Sequence, residues 1–155
     1  FFNLAEKEFE RSRRYQRPLA LLMLDLDEFK LVNDRYGHLI GDQILQTVTA
    51  IMHENLRKVD IPGRFGGEEF VILMPETCRE NAVQAAERLR QTVADFPILI
   101  SDETIEITVS IGVACCKELD DIRLEEMLNH ADEALYQAKH LGRNRVCVWE
   151  GKETV

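Results

Sequence analysis

Two glycines followed at once by two carboxylates, Gly66-Gly67-Glu68-Glu69-Phe70, stand between the apolar runs 61–65 and 71–74. A Gly-Gly pair between strand-like segments predicts a β-hairpin with a two-residue turn. Adjacent acids at its tip repel each other unless a cation bridges them, and hard divalent cations take carboxylate oxygens. A second acidic pair, Asp25 and Asp27, closes the apolar run 19–26. Two apart on a strand, these acids point the same way while the strand lasts. If the two pairs meet, four carboxylates surround a divalent ion, Mg²⁺ or Mn²⁺. A carboxylate-held Mg²⁺ keeps positions open for substrate phosphates. Nucleotidyl transfer then follows as the reaction class, with metal neutralising phosphate charge and activating an attacking hydroxyl.

The segment after the first acidic pair, residues 28–42, contains Lys30, Asn33, His38 and Asp42. Opening a helix beside the strand end, it would offer backbone N–H groups and Lys30 to phosphate oxygens. Asn33 and Asp42 supply an amide and a carboxylate, a pair suited to the Watson–Crick edge of guanine. Asn33 equally reads as a turn or cap residue, and His38 as a packing residue at a helix start. Lys139 and Arg143, four apart across the end of the last helix, suit phosphate or plain solvation.

These residues need elements to carry them. Phe2, Ala5 and Phe9 share one helical face in a highly charged segment, which predicts an amphipathic helix ending before Pro18. Residues 19–26 read as a buried strand. Ile44, Leu45, Val48, Ile51 and Met52 form a helix stripe, Pro62-Gly63 opens the hairpin, and Ala82, Ala86, Leu89 and Val93 mark a helix stopped near Pro97. Strict alternation of Ile105, Ile107, Val109, Ile111 and Val113 predicts one continuous strand. Leu124, Met127, Leu128, Ala131, Leu135 and Ala138 stripe the last long helix, with Gly142 as its C-cap; residues 146–149 close with a short strand. A strand–helix–strand crossover within one sheet makes its two strands parallel. The end of the first strand and the hairpin turn then share an edge, which places Asp25 and Asp27 beside Glu68 and Glu69.

At 155 residues, 45% hydrophobic and 30% charged, the chain is the size of one domain with a real core. A formal net charge of −9 argues against binding a nucleic-acid polymer, which wants a basic face, but allows one small phosphate-bearing ligand. The longest apolar run, 19–24, is too short to span a bilayer, and the first residues lack a signal-peptide pattern, so this domain is expected to make no membrane contact. Cys78, Cys115, Cys116 and Cys147 suggest neither a zinc site nor a disulfide framework, which fits a reducing cytoplasm.

Taken together, these residues resemble the diguanylate cyclase family, the GGDEF domains, with Glu68 in place of the motif's third-position Asp. The matching segments are 24–34, 36–42, 66–70, 108–112 and 131–139, the last leading to Gly142-Arg143-Asn144. They cover essentially the whole chain. The resemblance implies an α+β fold like the palm of adenylyl cyclases and polymerases: a βαββαβ core whose central, mainly antiparallel sheet is flanked by helices. It implies metal-dependent condensation of two GTP into cyclic diguanylate with release of two pyrophosphates. Each monomer would hold one GTP, so the product would form across the two-fold axis of an antiparallel homodimer.

Residue by residue, the resemblance implies that Asp25, the carbonyl of Leu26 and Glu68 hold metal, with Asp27 and Glu69 close by. Glu68, Glu69 and Lys30 are the implied catalytic residues, Glu68 helping to deprotonate the 3′-hydroxyl and Lys30 stabilising charge in the transition state. Asn33 and Asp42 would recognise guanine, with His38 near the nucleotide. Phe29, Lys30, Lys139 and Arg143 would contact the triphosphate. Arg57-Lys58-Val59-Asp60 is similar to the family's inhibitory Arg-x-x-Asp site, where Arg57 and Asp60, helped by Arg88, would bind product and inhibit the enzyme. Family members usually carry an Asp-x-Leu-Thr type segment ahead of the first helix, and this chain starts inside that helix. Residues 1–155 are therefore expected to be one cytoplasmic catalytic domain of a longer protein, behind a sensory or receiver module. The alternative is a catalytically silent domain that binds GTP or cyclic diguanylate; intact Asp25, Lys30, Asn33, Asp42, Glu68 and Glu69 argue against it. A dimerisation domain with incidental acids and a cyclase with a mononucleotide product are further alternatives.

Overall fold

The computed structural model describes residues 1–100, 102–116 and 122–151. The elements are α1 (Phe2–Arg14), β1 (Leu19–Leu26), α2 (Phe29–Tyr36), α3 (His38–Asn55), β2 (Ile61–Arg64), β3 (Glu69–Pro75), α4 (Arg79–Asp95), β4 (Ile98–Ile100), β5 (Glu103–Ile105), β6 (Val109–Cys116), α5 (Leu124–His140) and β7 (Val146–Val148). Five strands form one sheet in the order β2-β3-β1-β6-β7, and β4 pairs with β5 in a separate hairpin. The fold is α+β, with a mainly antiparallel sheet flanked by helices.

All of β1 is buried because helices cover both its faces. Ala20, Leu22, Leu24 and Leu26 join Ile44, Val48, Ile72 and Leu89 in one core; Leu19, Leu21 and Met23 join Phe9, Val71, Met127 and Leu135 in the other. Burial on both sides explains the unbroken apolar run, where a strand with one wet face would alternate. β3 lies between β1 and β2 and is antiparallel to both, so β1 and β2 run the same way without touching. The end of β1 and the hairpin turn thus share an edge, as the crossover rule requires. β6 pairs antiparallel with β1, and β7 is added parallel to β6.

The structure corrects three local expectations. Residues 105–113 are not one strand, since β5 ends at Ile105 and β6 begins at Val109. All five alternating side chains are nevertheless buried, so core packing rather than a continuous ladder dictates the pattern. Phe2 does not join Ala5 and Phe9 in the core: it is 56% exposed, its ring against those of Phe1 and Phe65. The hairpin turn spans residues 65–68 rather than the two glycines, because pairing with Asp25 draws Glu69 into β3. The N–H groups of Phe65 and Gly66 both donate to the Glu69 carbonyl, at 2.8 and 3.3 Å.

The segment after β1 makes two helices. Gly37, at φ +87°, ends α2 and starts α3 in a conformation that L side chains rarely adopt. At the far end of the chain, Arg143 N–H donates to the Ala138 carbonyl at 3.0 Å around Gly142, a Schellman-type closure of α5. Among the described residues no helix is long and apolar enough to cross a membrane.

The contact of α5 with β6 depends on Gly112. A Cβ there would lie 2.1 Å from the Ala131 carbonyl oxygen and 2.2 Å from the Leu135 nitrogen, both backbone atoms. Gly112→Ala is therefore expected to push α5 off the sheet and cost about 1–3 kcal/mol. A lowered urea midpoint at unchanged slope is the outcome to measure.

Candidate active site

The β1 end and the hairpin turn meet through the backbone. Leu26 N–H donates to the Glu68 carbonyl at 3.3 Å, and Asp25 stands opposite Glu69 in the register of β1 and β3. Asp25 is buried, and its carboxylate accepts a 2.7 Å hydrogen bond from Lys139 Nζ of α5. Burial raises the Asp25 carboxyl above its ordinary value; the Lys139 ammonium opposes that, while the charges of Glu68 and Glu69 add to it. Three carboxylates thus share one neighbourhood, with Lys139 bonded to Asp25.

Asp27 does not belong to that group. It lies just past the last residue of β1, and its carboxylate accepts from Thr108 Oγ1 (2.7 Å), Ser110 Oγ (2.7 Å) and the Asn144 N–H (3.0 Å). These bonds turn it toward the start of β6 and the turn after α5. Asp27 is thus bonded to two side-chain hydroxyls and one backbone N–H, while Asp25 stands with the Glu68–Glu69 turn. Glu69 is folded back over the turn: a Cβ on Gly66 would lie 2.5 Å from its Oε2. A side chain at Gly66 would therefore displace that carboxylate.

Arg64 was not foreseen as part of the site. Its Nε donates to the carbonyls of Gly66 and Gly67 at 3.1 Å, and its Nη2 to Gly67 at 2.6 Å, so one guanidinium ties the turn together. An arginine immediately before the turn is the only hint that the sequence carries.

The nucleotide-site candidates cluster on α2 and α3. Phe29 is buried and Lys30 exposed on the first turn of α2. Asn33 lies inside α2, its carbonyl accepting from Gly37 N–H at 2.8 Å and its Oδ1 buried without a partner. A Cβ on Gly41 would lie 1.9 Å from that Oδ1 and 3.2 Å from Phe29 Cζ, so the bare glycine lets α2 and α3 close around the amide. Asp42, exposed, lines a cleft of about 460 Å³ with Leu45, Gln46, Thr49, Arg64 and Phe70. His38 is exposed at the first position of α3, not packed as a helix-start residue would be. Arg143 is exposed on a different cleft, of about 640 Å³, with Asp27, Glu28, Arg35 and Asn144.

The second motif also assembles, with a difference. Asp60, its side chain 1% exposed, already binds Arg57: backbone N–H at 2.8 Å, Nε at 3.1 Å and Nη2 at 2.6 Å. Arg57 Nη2 also reaches Thr77 Oγ1 at 2.6 Å and the Pro75 carbonyl at 3.2 Å. Asp60 is therefore an orienting partner for Arg57, and Nη1, in none of these bonds, is the edge left to face a ligand. Arg88 of α4 donates to the Asn55 carbonyl at 3.1 Å, which brings it to the neighbourhood of Arg57.

A divalent cation suits the Asp25 end of this site. Among the described residues no three acidic, His or Cys side chains form a ready-made cage. Mg²⁺, however, is usually held by one or two carboxylates plus substrate phosphates. Burial chiefly, and to a lesser degree the charges of Glu68 and Glu69, raise the Asp25 carboxyl, and a bound cation would offset both. Because folding raises the Asp25 carboxyl, the folded chain binds that proton more tightly than the unfolded one. In chelator, acidification through the Asp25 range should thus raise stability more in the wild type than in Asp25→Asn. Thermal melts across that range give the comparison; identical pH profiles would contradict it.

The sequence profile described as "Diguanylate cyclase, GGDEF domain" matches residues 1–145. The chain belongs to this family. It is 42% identical over 131 residues to the response regulator PleD of Caulobacter vibrioides, covering 83% of this chain and 29% of that protein. Diguanylate cyclase DosC of Escherichia coli is 38% identical over 146 residues, covering 94% of this chain and 31% of that protein. The chain thus spans about a third or less of these relatives. The GGDEF domain of DgcB from Caulobacter crescentus, solved with cyclic diguanylate, superposes with a TM-score of 0.92 at 29% identity over 97% of this chain and 89% of that one. The active GGEEF domain of a Vibrio cholerae diguanylate cyclase does so with a TM-score of 0.88 at 34% identity, covering 96% and 93%.

Proposed function

We propose that this GGDEF domain is an active diguanylate cyclase, joining two GTP into cyclic diguanylate and releasing two pyrophosphates. The observation that carries the reading is the meeting of Asp25 with the Glu68–Glu69 turn, fixed by the Leu26–Glu68 hydrogen bond and the Asp25–Glu69 register. Membership of a family whose named relatives include diguanylate cyclases supports the substrate class.

Asp25, the Leu26 carbonyl and Glu68 would hold Mg²⁺ or Mn²⁺. When bound, such an ion neutralises phosphate charge and makes the attacking hydroxyl more acidic. Glu68, on the turn, takes the 3′-hydroxyl proton, and Glu69 keeps the turn's charge in place from the β3 side. The hydroxyl oxygen bonds to the α-phosphorus of the other GTP while the bond to pyrophosphate breaks. Lys30, on the exposed first turn of α2, meets the charge that develops there, with Phe29 and the α2 backbone lining the phosphates. Lys139 and Arg143 approach the triphosphate from the end of α5. Asn33 and Asp42 recognise guanine, whose N–H groups donate to the exposed Asp42 carboxylate, with His38 beside the nucleotide. One GTP per domain leaves the chemistry half complete, so two copies face each other about a two-fold axis. Arg57 and Arg88 take up product and slow the enzyme, with Asp60 orienting Arg57. The chemistry needs no membrane contact by this domain, and a cytoplasmic setting supplies its GTP.

The deciding experiment is incubation with GTP and Mg²⁺ at concentrations that populate dimers, resolving products by mass. Cyclic diguanylate and pyrophosphate are expected. GTP bound but unconverted at every concentration points instead to a silent regulatory domain.

A further inference from the structure

We propose that Arg90 of α4 is a positioning residue for the phosphate grip, acting on Arg143 through Asn144. Its basis is the turn after α5. Gly142, Arg143 and Asn144 have φ of +120°, +61° and +44°, so two consecutive non-glycine residues occupy the left-handed region. Such conformations persist only where the surroundings impose them. The Arg143 N–H bond to the Ala138 carbonyl and the Arg145 Nε bond to the Arg143 carbonyl hold the first half of the turn, and two bonds hold Asn144. Asn144 N–H donates to Asp27 Oδ2 at 3.0 Å, and Asn144 Oδ1 accepts from Arg90 Nη1 at 2.8 Å.

Both clamps are themselves fixed. Asp27 is buried and held by Thr108 and Ser110. Arg90, its side chain 17% exposed, has Nε on Glu87 Oε2 at 2.8 Å and Nη2 on Gln91 Oε1 at 2.9 Å. Each guanidinium nitrogen therefore has a partner, and the one aimed off the helix meets Asn144. The Glu87 pair alone is a three-residue helix-surface contact of small worth. Reach across to the turn is what gives Arg90 a consequence. Releasing Asn144 removes the restraint on the far half of the turn, so Arg143 is held less firmly in the orientation in which it faces the triphosphate. Arg88, two residues earlier on α4, reaches Asn55, so one helix touches both the candidate inhibitory site and the phosphate grip. The inference rests on the proposed role of Arg143 in holding the triphosphate.

The test is calorimetric binding of the α,β-methylene analogue of GTP, and of GMP, in Mg²⁺. Wild type, Arg90→Ala, Arg143→Ala and the double variant are compared. Arg90→Ala should weaken the triphosphate about tenfold, as loss of a supporting partner does elsewhere, and leave GMP within about twofold. In the Arg143→Ala background it should weaken the triphosphate no further. Equal loss of both nucleotides marks general loosening of the fold and overturns the proposal. Additive losses in the double variant, or no effect of Arg90→Ala, overturn it as well. Arg143→Ala without effect on the triphosphate overturns the reading of the site and this proposal together.

Discussion

Glu68→Gln is expected to reduce cyclic diguanylate formation about a thousandfold, the middle of the range for removing a general base. The change preserves side-chain size and leaves the backbone alone. The Glu68 carbonyl still accepts from Leu26, so the hairpin stays docked on β1 and thermal stability should be unaltered. What disappears is one negative charge from the Asp25–Glu68–Glu69 group and the acceptor for the hydroxyl proton. Binding of GTP in Mg²⁺ should therefore weaken far less than turnover falls. Retention of a tenth or more of the wild-type rate would remove Glu68 from the chemistry.

Loss of product inhibition in Arg57→Ala is the second large effect. A charge-assisted hydrogen bond is worth about 1.5–3 kcal/mol, so half-inhibition should need at least tenfold more cyclic diguanylate. Arg57→Ala also strands Asp60, whose side chain is 1% exposed, and its melting temperature should fall. Arg57→Lys separates the two effects. Lysine keeps a charge for Asp60 but lacks the planar fork that serves Asp60, Thr77 and a ligand edge at once. It should recover part of the stability and little of the inhibition. Rates with and without added product, taken on both variants, report this directly; inhibition unchanged in both contradicts the assignment.

Much of the fold was legible because its determinants are local. The apolar run of β1, the stripes of α3, α4 and α5, and the glycine-marked hairpin all follow from period and composition. The parallel sense of strands joined by a crossover then gave the edge at which Asp25 meets the turn. Two of the misreadings share one cause, which is long-range pairing. Asp27 resembles Asp25 in the sequence, but its partners Thr108, Ser110 and Asn144 lie 81, 83 and 117 residues away. The length of the hairpin turn depends on Asp25 drawing Glu69 into β3, a register that no property of the turn itself announces. Arg57 and Asp60 were legible as a motif, whereas their bonding to each other was not. The αL turn that carries Arg143 and Asn144 has no marker beyond Gly142.

Anomalous diffraction from crystals grown with Mn²⁺ and the α,β-methylene analogue of GTP bears most directly on the shared-cation claim. A manganese peak within bonding distance of carboxylate oxygens from both Asp25 and Glu68 is the predicted result. Manganese absent from that edge, with Lys139 still paired to Asp25 and nucleotide bound, would contradict it.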